Sequence, residues 1–330
     1  MLRYALRRLL AAVPLLLAVL TLTFVLLEAA PGDPADILFG DRPVSPEVRA
    51  RIAAAYGFDR PAPERYLRWL SAFALRGEWG WSVVRGRPVR DAVAAALPAT
   101  LLLSGSALLL QCVLGVGWGA LMARAHGRSA DRWAGLLAAL LYGLPAFWVG
   151  MMAILALAVR VPLFPASSMH SVGAEAWPAW RRMLDLAHHL ALPAAVLGVS
   201  SAAGMARFVR AGLLSSVGEA FVRAARARGV GGGRLFGAHA LRGSLVPIVN
   251  LAGMSLPALV SGSLAVEIVF AWPGMGRLFY DGLLARDGAV VLALTALTAV
   301  LVIAGSLLAD LAMAALDPRI RLGGRGRAAA

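Results

Sequence analysis

Charged and apolar residues are segregated along this chain. Six stretches contain no Asp, Glu, Lys or Arg: Leu9–Leu27, Ala92–Ala123, Ala134–Val159, Leu186–Ala206, Gly243–Val266 and Gly288–Ala309, with 19, 32, 26, 21, 24 and 22 residues. An α-helix rises about 1.5 Å per residue, so the ~30 Å hydrocarbon core of a bilayer takes about 20 residues. All six stretches meet that length. Inside lipid the backbone finds no water, and each crossing segment must satisfy its own N–H and C=O groups as a helix. The pattern predicts an all-α integral membrane protein with six transmembrane helices. The first stretch has a basic start (Arg3, Arg7, Arg8), as a secretory signal would. Its apolar part exceeds the roughly 7–15 residues of a signal core, and five more spans follow, so it is read as a retained helix.

The segments between the stretches set the orientation. With the N-terminus inside, the inner segments 1–8, 123–133, 207–243 and 314–330 hold 3, 3, 7 and 4 Arg, or 17 together. The short outer loops 160–188 and 272–288 hold 3 and 2. Cytoplasmic loops are enriched in basic residues, so both termini are expected on the cytoplasmic side. Segment 31–97 holds 10 Arg against 8 acidic residues but is too long for that rule to count.

Composition agrees with this reading. Of 330 residues, 60% are hydrophobic and 15% charged, at a mean hydropathy of +0.74. A soluble domain carries about 45–50% apolar and about 25% charged residues. The net charge is +14, and all 32 basic residues are Arg. A basic excess can mark a nucleic-acid partner. Here the arginines cluster between apolar runs, so topology explains them and no nucleic-acid partner is expected. Cys112 is the single cysteine and lies within an apolar run, which excludes an intramolecular disulfide and a cysteine-rich metal site.

Segment 31–97 is expected to be extracytoplasmic and to carry two short amphipathic helices. One starts at Ser45 and Pro46 and stops at Gly57, with Val48, Ile52 and Ala55 on one face. The second runs from Glu64 to about Ala74, with Tyr66, Leu67, Leu70 and Phe73 on one side. They could cap the outer mouth or lie on the bilayer surface. Trp79 and Trp81 suit the headgroup level in either case.

The inner segment 215–230 reads Ser-Ser-Val-Gly-Glu-Ala-Phe-Val-Arg-Ala-Ala-Arg-Ala-Arg-Gly-Val. Ser216 and Glu219 have capping-box spacing, and Gly229 can end the helix. The predicted short helix carries Arg223, Arg226 and Arg228. Ala220, Ala224 and Ala225 are small enough for another protein to approach closely, and Phe221 could anchor such a contact. Composition leaves a second reading open, an Arg-rich helix lying on anionic lipid.

Arg223-Ala224-Ala225-Arg226-Ala227-Arg228-Gly229 resembles the cytoplasmic signature loop of ATP-binding-cassette importer permeases, in the form found in dipeptide and oligopeptide permeases. His239-Ala240-Leu241-Arg242 with Leu245-Val246-Pro247 is similar to that family's continuation. So are Ala30-Pro31-Gly32-Asp33-Pro34, Gly86-Arg87-Pro88-Val89, Leu97-Pro98-Ala99-Thr100 and Pro145-Ala146-Phe147-Trp148. Glu267 with Phe270-Ala271-Trp272-Pro273-Gly274-Met275-Gly276, and Leu316-Asp317-Pro318-Arg319-Ile320, complete the series. The run Gly231-Gly232-Gly233 departs from a stretch that is usually more polar.

The resemblance implies a type I importer permease in a bacterial cytoplasmic (inner) membrane. It divides the chain into an N-terminal helix (1–30), the extracytoplasmic segment (31–97), a five-helix core (98–313) with coupling loop 211–243, and a cytoplasmic tail (314–330). It implies a second, homologous permease, two cytoplasmic ATPases and an extracytoplasmic substrate-binding protein as partners, besides membrane lipid. In the resemblance, Glu219, Ala220, Phe221, Arg223, Ala224, Ala225, Arg226 and Gly229 belong to the helix and turn that dock on an ATPase. The chain would bind no cofactor itself; ATP and Mg would sit on the partners. Independently, a phosphate-binding G-x-x-x-x-G-K-[ST] loop needs a Lys, and this sequence has none.

Other polar residues carry alternatives. Glu267 follows a charge-free run and could line or gate a pathway, or pair at the outer interface. Asp310 is expected near the inner interface, within reach of Arg319 or Arg321. Gln111 suits an interhelix hydrogen bond, and Gly115, Gly117 and Gly119 suit close helix packing. His188 and His189 point about 100° apart on a helix, which suits no shared metal ion. Within the same architecture the cargo could be nickel or glutathione. Ser200, Ser201, Ser261 or Ser263 with His188 or His189 would be the raw material of an intramembrane protease, but no motif supports it. A stand-alone channel or proton-coupled carrier would not be expected to carry the arginine-rich loop.

Overall fold

The computed structural model describes residues 2–30, 45–48, 51, 54, 59–217, 220–230 and 263–316. In chain order the elements are α1 (Leu2–Ala29), α2 (Ala62–Ser71), a two-stranded hairpin of β1 (Trp81–Ser82) and β2 (Arg87–Pro88), α3 (Val89–Arg124), α4 (Ser129–Gly143) and α5 (Ala146–Ile154). They continue with α6 (Ala179–Val217), α7 (Ala220–Ala227), α8 (Met275–Leu284) and α9 (Gly288–Leu316). The strands pair antiparallel, Trp81 with Pro88 and Ser82 with Arg87.

Among the described residues α1, α3, α6 and α9 are each long and apolar enough to cross a membrane. The third apolar stretch is not the straight span its length suggests. It breaks between α4 and α5, whose axes differ by 100°. The cause is local: Pro145 has no N–H, and its ring disfavours helical backbone at Leu144, which is extended (φ −82°, ψ 137°). Helix α5 then loosens into a wider π turn over Leu155–Arg160. Of the fifth stretch, residues 263–266 are described and helical, within a helical segment 263–269; the remainder lies outside the described residues.

Helix α6 is longer than its apolar stretch. Its 39 residues measure about 58 Å, well beyond the hydrocarbon thickness, so both ends carry polar groups out of the membrane. Helix α3 starts at Val89 and runs through Pro98, so the boundary expected between 97 and 98 falls within one continuous helix.

The chain forms two compact units. One comprises residues 1–5, 101–272 and 302–330; the other comprises 6–100 and 273–301. In the first, α3 packs closely on α6 through glycines. A Cβ at Gly115 would lie 2.9 Å from Met205 Cβ, and one at Gly119 would lie 2.6 Å from the Ala206 carbonyl oxygen. Gly117, expected to share this role, has nothing among the described residues within 4 Å of its Cβ position. Positions four apart share a helix face and the one between them does not. Cys112 is half-buried beside this seam, packed with Val116 and Ala120 against Met205, Val209 and Leu213.

In the second unit Val89, Val93 and Ala96 of α3 pack with Met275 and Leu278 of α8 and Val290 and Leu294 of α9. Helix α2 rests on α1. Tyr66 Oη and Thr21 Oγ1 are 2.8 Å apart, Arg65 pairs with Glu28, and the rings of Phe24, Tyr66, Trp69, Phe73 and Trp79 form a continuous series. The expected apolar face is shifted: Trp69 joins it, while Leu67 is 63% exposed. Of the first amphipathic helix only Ser45–Val48 and two later residues are described; there Ser45 Oγ accepts from Val48 N–H at 3.4 Å, the expected capping contact.

Candidate functional site

Helix α7 follows α6 after Gly218 and Glu219, which lie outside the described residues. Ser216 is still helical in the last turn of α6, which extends to Val217. Its capping-box partner Glu219 lies outside the described residues. The apolar side of α6 continues past Ser216, with Val217 packed on its core.

Ala220, Phe221, Arg223, Ala224, Ala225 and Arg226 all lie on the α7 backbone. Val222 turns inward, 1% exposed, and packs on Val230. Arg223, Ala224 and Arg228 are exposed. The last turn closes on the Ala224 carbonyl, which accepts from Arg228 N–H at 3.2 Å and Arg228 Nε at 3.3 Å. Gly229 stops the helix with φ +80°, left-handed backbone that glycine enters without Cβ strain. The result is a short helix in which, among the described side chains, Val222 packs inward while two arginines and a small alanine face outward. Residues 231–262, including Gly231–Gly233, lie outside the described residues.

A cluster that the sequence reading did not anticipate stands nearby on α4 and α6. Arg210 Nε donates to Asp131 Oδ1 and Arg210 Nη2 to Asp131 Oδ2, both at 2.7 Å. His126 Nδ1 lies 3.2 Å from Arg210 Nη2; a guanidinium only donates, so the imidazole nitrogen accepts there. Gly127 N–H adds a bond to Asp131 Oδ2 at 3.2 Å. Asp131 precedes the apolar part of α4, and its hydrogen bonds from Arg210 hold its carboxyl well below the usual carboxylate range despite burial. In the sequence, Asp131 is the sole acidic residue of segment 123–133, a signal that it would need an arginine partner; nothing in the sequence names Arg210.

At the other end of α6, Asp185 gathers a loop. Ser171 N–H and Oγ donate to it at 3.0 and 2.6 Å, and His170 Nδ1 stands 3.1 Å away. His189 Nδ1 bonds the Asp185 carbonyl at 2.9 Å, and His188 Nε2 bonds the Leu163 carbonyl at 2.7 Å. The two imidazoles thus fasten backbone in different directions. Trp177 carries Arg181 over its ring at 4.1 Å, a cation–π contact that gives this tryptophan a role in ordering the loop.

Glu267 is completely buried on the helical residues 263–269 and accepts from Ser263 Oγ at 3.1 Å. The turn after it is tight: Trp272 N–H bonds the Glu267 carbonyl at 2.8 Å, and Ala271 has φ +48°. Phe270 is buried at 2% exposure and its carbonyl accepts from Ser168 N–H at 2.9 Å. Asp310 lies on α9; Arg319 and Arg321 lie outside the described residues.

In the second unit Thr100 Oγ1 accepts from Met275 N–H at 2.7 Å and caps the start of α8. Asp287 caps α9 through Val290 N–H at 3.4 Å, and accepts from Ser82 Oγ of the hairpin.

Apolar helices of membrane-crossing length, a long helix that leaves the bilayer and a short exposed helix after it define a polytopic α-helical membrane protein. Its fold resembles a chain of the structure titled "Inward facing conformations of the MetNI methionine ABC transporter", with a TM-score of 0.54 at 19% identity, covering 69% of this chain and 97% of that one. The chain belongs to the family described as "Binding-protein-dependent transport system inner membrane component", which it matches over residues 115–322; residues 1–104 match the corresponding N-terminal family. It is a transport subunit of the inner membrane. The chain is 36% identical to the oligopeptide transport system permease protein AppB of Bacillus subtilis (strain 168) over 318 residues, 96% of this chain and 98% of that one. It is 34% identical to the dipeptide transport system permease protein DppB of Escherichia coli (strain K12), covering 97% and 99%. It is 33% identical to the glutathione transport system permease protein GsiC of the same strain, again covering 97% and 99%.

Proposed function

We propose that this chain is a permease subunit of an ATP-driven importer for di- and oligopeptides. The observation that carries the proposal is end-to-end similarity, at 34–36% identity, to permeases named for dipeptide and oligopeptide transport. GsiC, named for glutathione, is 33% identical, and its cargo is itself a short peptide, so glutathione is the second reading.

Energy would enter through α7. Its inward side is fastened by Val222 and its outward side carries Arg223, Ala224 and Arg228. This is the surface proposed to dock on a cytoplasmic ATPase, together with Glu219, Phe221, Ala225, Arg226 and the Gly229 turn. The sequence contains no Lys, so a G-x-x-x-x-G-K-[ST] loop is not encoded in it, and ATP and Mg would bind the ATPases. A complete importer would hold this chain, a homologous permease, two ATPases and an extracytoplasmic binding protein, with both termini of this chain cytoplasmic. Closure of the ATPases would switch the permeases between two rigid-body states, and cargo would respond by its differential affinity for them. Glu267, buried and hydrogen-bonded beside the tight turn at Ala271, is the proposed gate or pathway residue.

The test is purification of the intact complex in detergent, identification of co-purifying subunits and reconstitution into proteoliposomes. ATP-dependent uptake of labelled di- or oligopeptides, competed poorly by glutathione, is the expected result. Uptake of glutathione alone would move the cargo to the second reading; absence of ATPase subunits from the complex would refute the coupling role.

A further inference from the structure

An open cavity of about 570 Å³ lies against α4 and α6 within the first unit. Asp131, Arg132, Gly135 and Tyr142 line it from α4, and Gly204, Arg207, Phe208 and Arg210 from α6. The two helices run through it in opposite directions. Arg132 stands just before the apolar stretch of α4, and Arg207 just after that of α6, so both arginines mark the cytoplasmic membrane boundary. Tyr142 is ten residues further along α4, about 15 Å along the helix axis. There its ring is seated against Gly204, where a Cβ would come within 2.7 Å of it.

The cavity therefore has a cationic mouth and an apolar length. Asp131 is the one carboxylate in its lining, and Arg210 already takes both its oxygens. Arg132 and Arg207 are exposed at the mouth. Phe208, 60% exposed, stands beside Arg207 at the boundary, and Tyr142, 61% exposed, lies within the apolar stretch of α4. A free phosphate would use the arginines and leave the aromatic length empty. A zwitterionic lipid would fill the length and leave the net positive charge unmatched. Basic pockets between transmembrane helices on the cytoplasmic side suit anionic headgroups.

We infer that the α4–α6 cavity binds one anionic phospholipid of the cytoplasmic leaflet, its phosphate between Arg132 and Arg207 beside Phe208 and an acyl chain running toward Tyr142. The Asp131–Arg210 pair forms the floor: it fixes the spacing of the two helices and neutralises one arginine, so that the mouth selects a headgroup of limited charge. The inference is independent of which cargo the transporter carries.

The test uses the complete complex, purified in mild detergent and delipidated stepwise, with bound lipid read by native mass spectrometry. Phosphatidylglycerol and phosphatidylcholine are then added back in equal amounts. Wild type is expected to retain phosphatidylglycerol preferentially. Arg132→Gln/Arg207→Gln should lose it by roughly thirtyfold, from two lost headgroup charges. Arg132→Lys/Arg207→Lys keeps the charges and should retain most of it, which separates binding from misfolding. Arg181→Gln, on the outer side, should change nothing. Equal retention of the two lipids by wild type, unchanged retention by the Gln pair, displacement by millimolar inorganic phosphate, or a lipid-free cavity covered by the second permease would each overturn the site.

Discussion

Thr100 Oγ1 accepts the Met275 N–H at 2.7 Å, joining two residues 175 positions apart in the chain. Both are buried, at 1% and 3% exposure. Each belongs to a motif that the sequence displays separately: Leu97–Thr100 in α3, and Phe270–Gly276 leading into α8. The bond satisfies one of the N–H groups that the first turn of α8 would otherwise leave open.

Replacing Thr100 tests that cap. Thr100→Ala buries an unpaired N–H and is expected to cost about 1–2 kcal/mol, seen as a lower melting temperature of the purified complex. Thr100→Ser keeps the hydroxyl and should recover most of the loss.

The α3–α6 seam predicts a contrast between neighbours. Gly119→Val drives a side chain into the Ala206 carbonyl and Val209, neither of which can swing aside, and should destabilise by roughly 1–3 kcal/mol or more. Gly117→Ala meets nothing within 4 Å and should leave the melting temperature within about 1 °C of wild type, or raise it, since alanine is the better helix former.

Gly229 separates backbone strain from docking. With φ +80° and no atom within 4 Å of a Cβ, a side chain there clashes with nothing in the described structure but strains the turn by about 1–2 kcal/mol. Asn tolerates this backbone best after glycine. Gly229→Asn should retain more ATPase co-purification than Gly229→Val, while both insert into the membrane; equal loss would place the effect in bulk at the docking surface rather than in the turn.

Breaking the Asp131–Arg210 pair should loosen α4 from α6. Asp131→Asn leaves a half-buried guanidinium with one poor acceptor, at an expected cost of about 1–3 kcal/mol in thermal unfolding. The swap Asp131→Arg/Arg210→Asp restores opposite charges and should recover part of it, measured as a double-mutant coupling.

Glu267→Gln keeps an acceptor for Ser263 and removes the charge. A pathway role predicts slower peptide uptake at unchanged complex yield and melting temperature. Unchanged uptake would assign the side chain to a structural role through its hydrogen bond with Ser263.

Much of this protein is legible in its residue pattern. Apolar run length alone forces crossing helices, because lipid offers the backbone no other partner. The arginine loop, the glycine stop at Gly229 and the aromatic side of α2 are also local signals, written within a turn or two of chain. Where the reading slipped, a neighbouring residue outweighed the pattern. Pro145 bends by 100° a stretch of 26 charge-free residues that length alone would leave straight. The apolar side of α6 carried its helix past Ser216. Trp69 joined the packed face in place of Leu67 because its ring stacks between Tyr66 and Phe73.

The sequence by itself determined that the chain is a helical membrane protein, that its charges segregate between apolar runs, and which short helix stands exposed after α6. Those follow from desolvation and from periodicity, which act over neighbouring residues. Only the tertiary structure decided that Asp131 answers Arg210, that Thr100 caps α8, that Gly119 rather than Gly117 meets α6, and that two boundary arginines open onto one groove. Such pairings depend on the rotation and spacing of packed helices, set by the summed contacts of many side chains far apart in the chain.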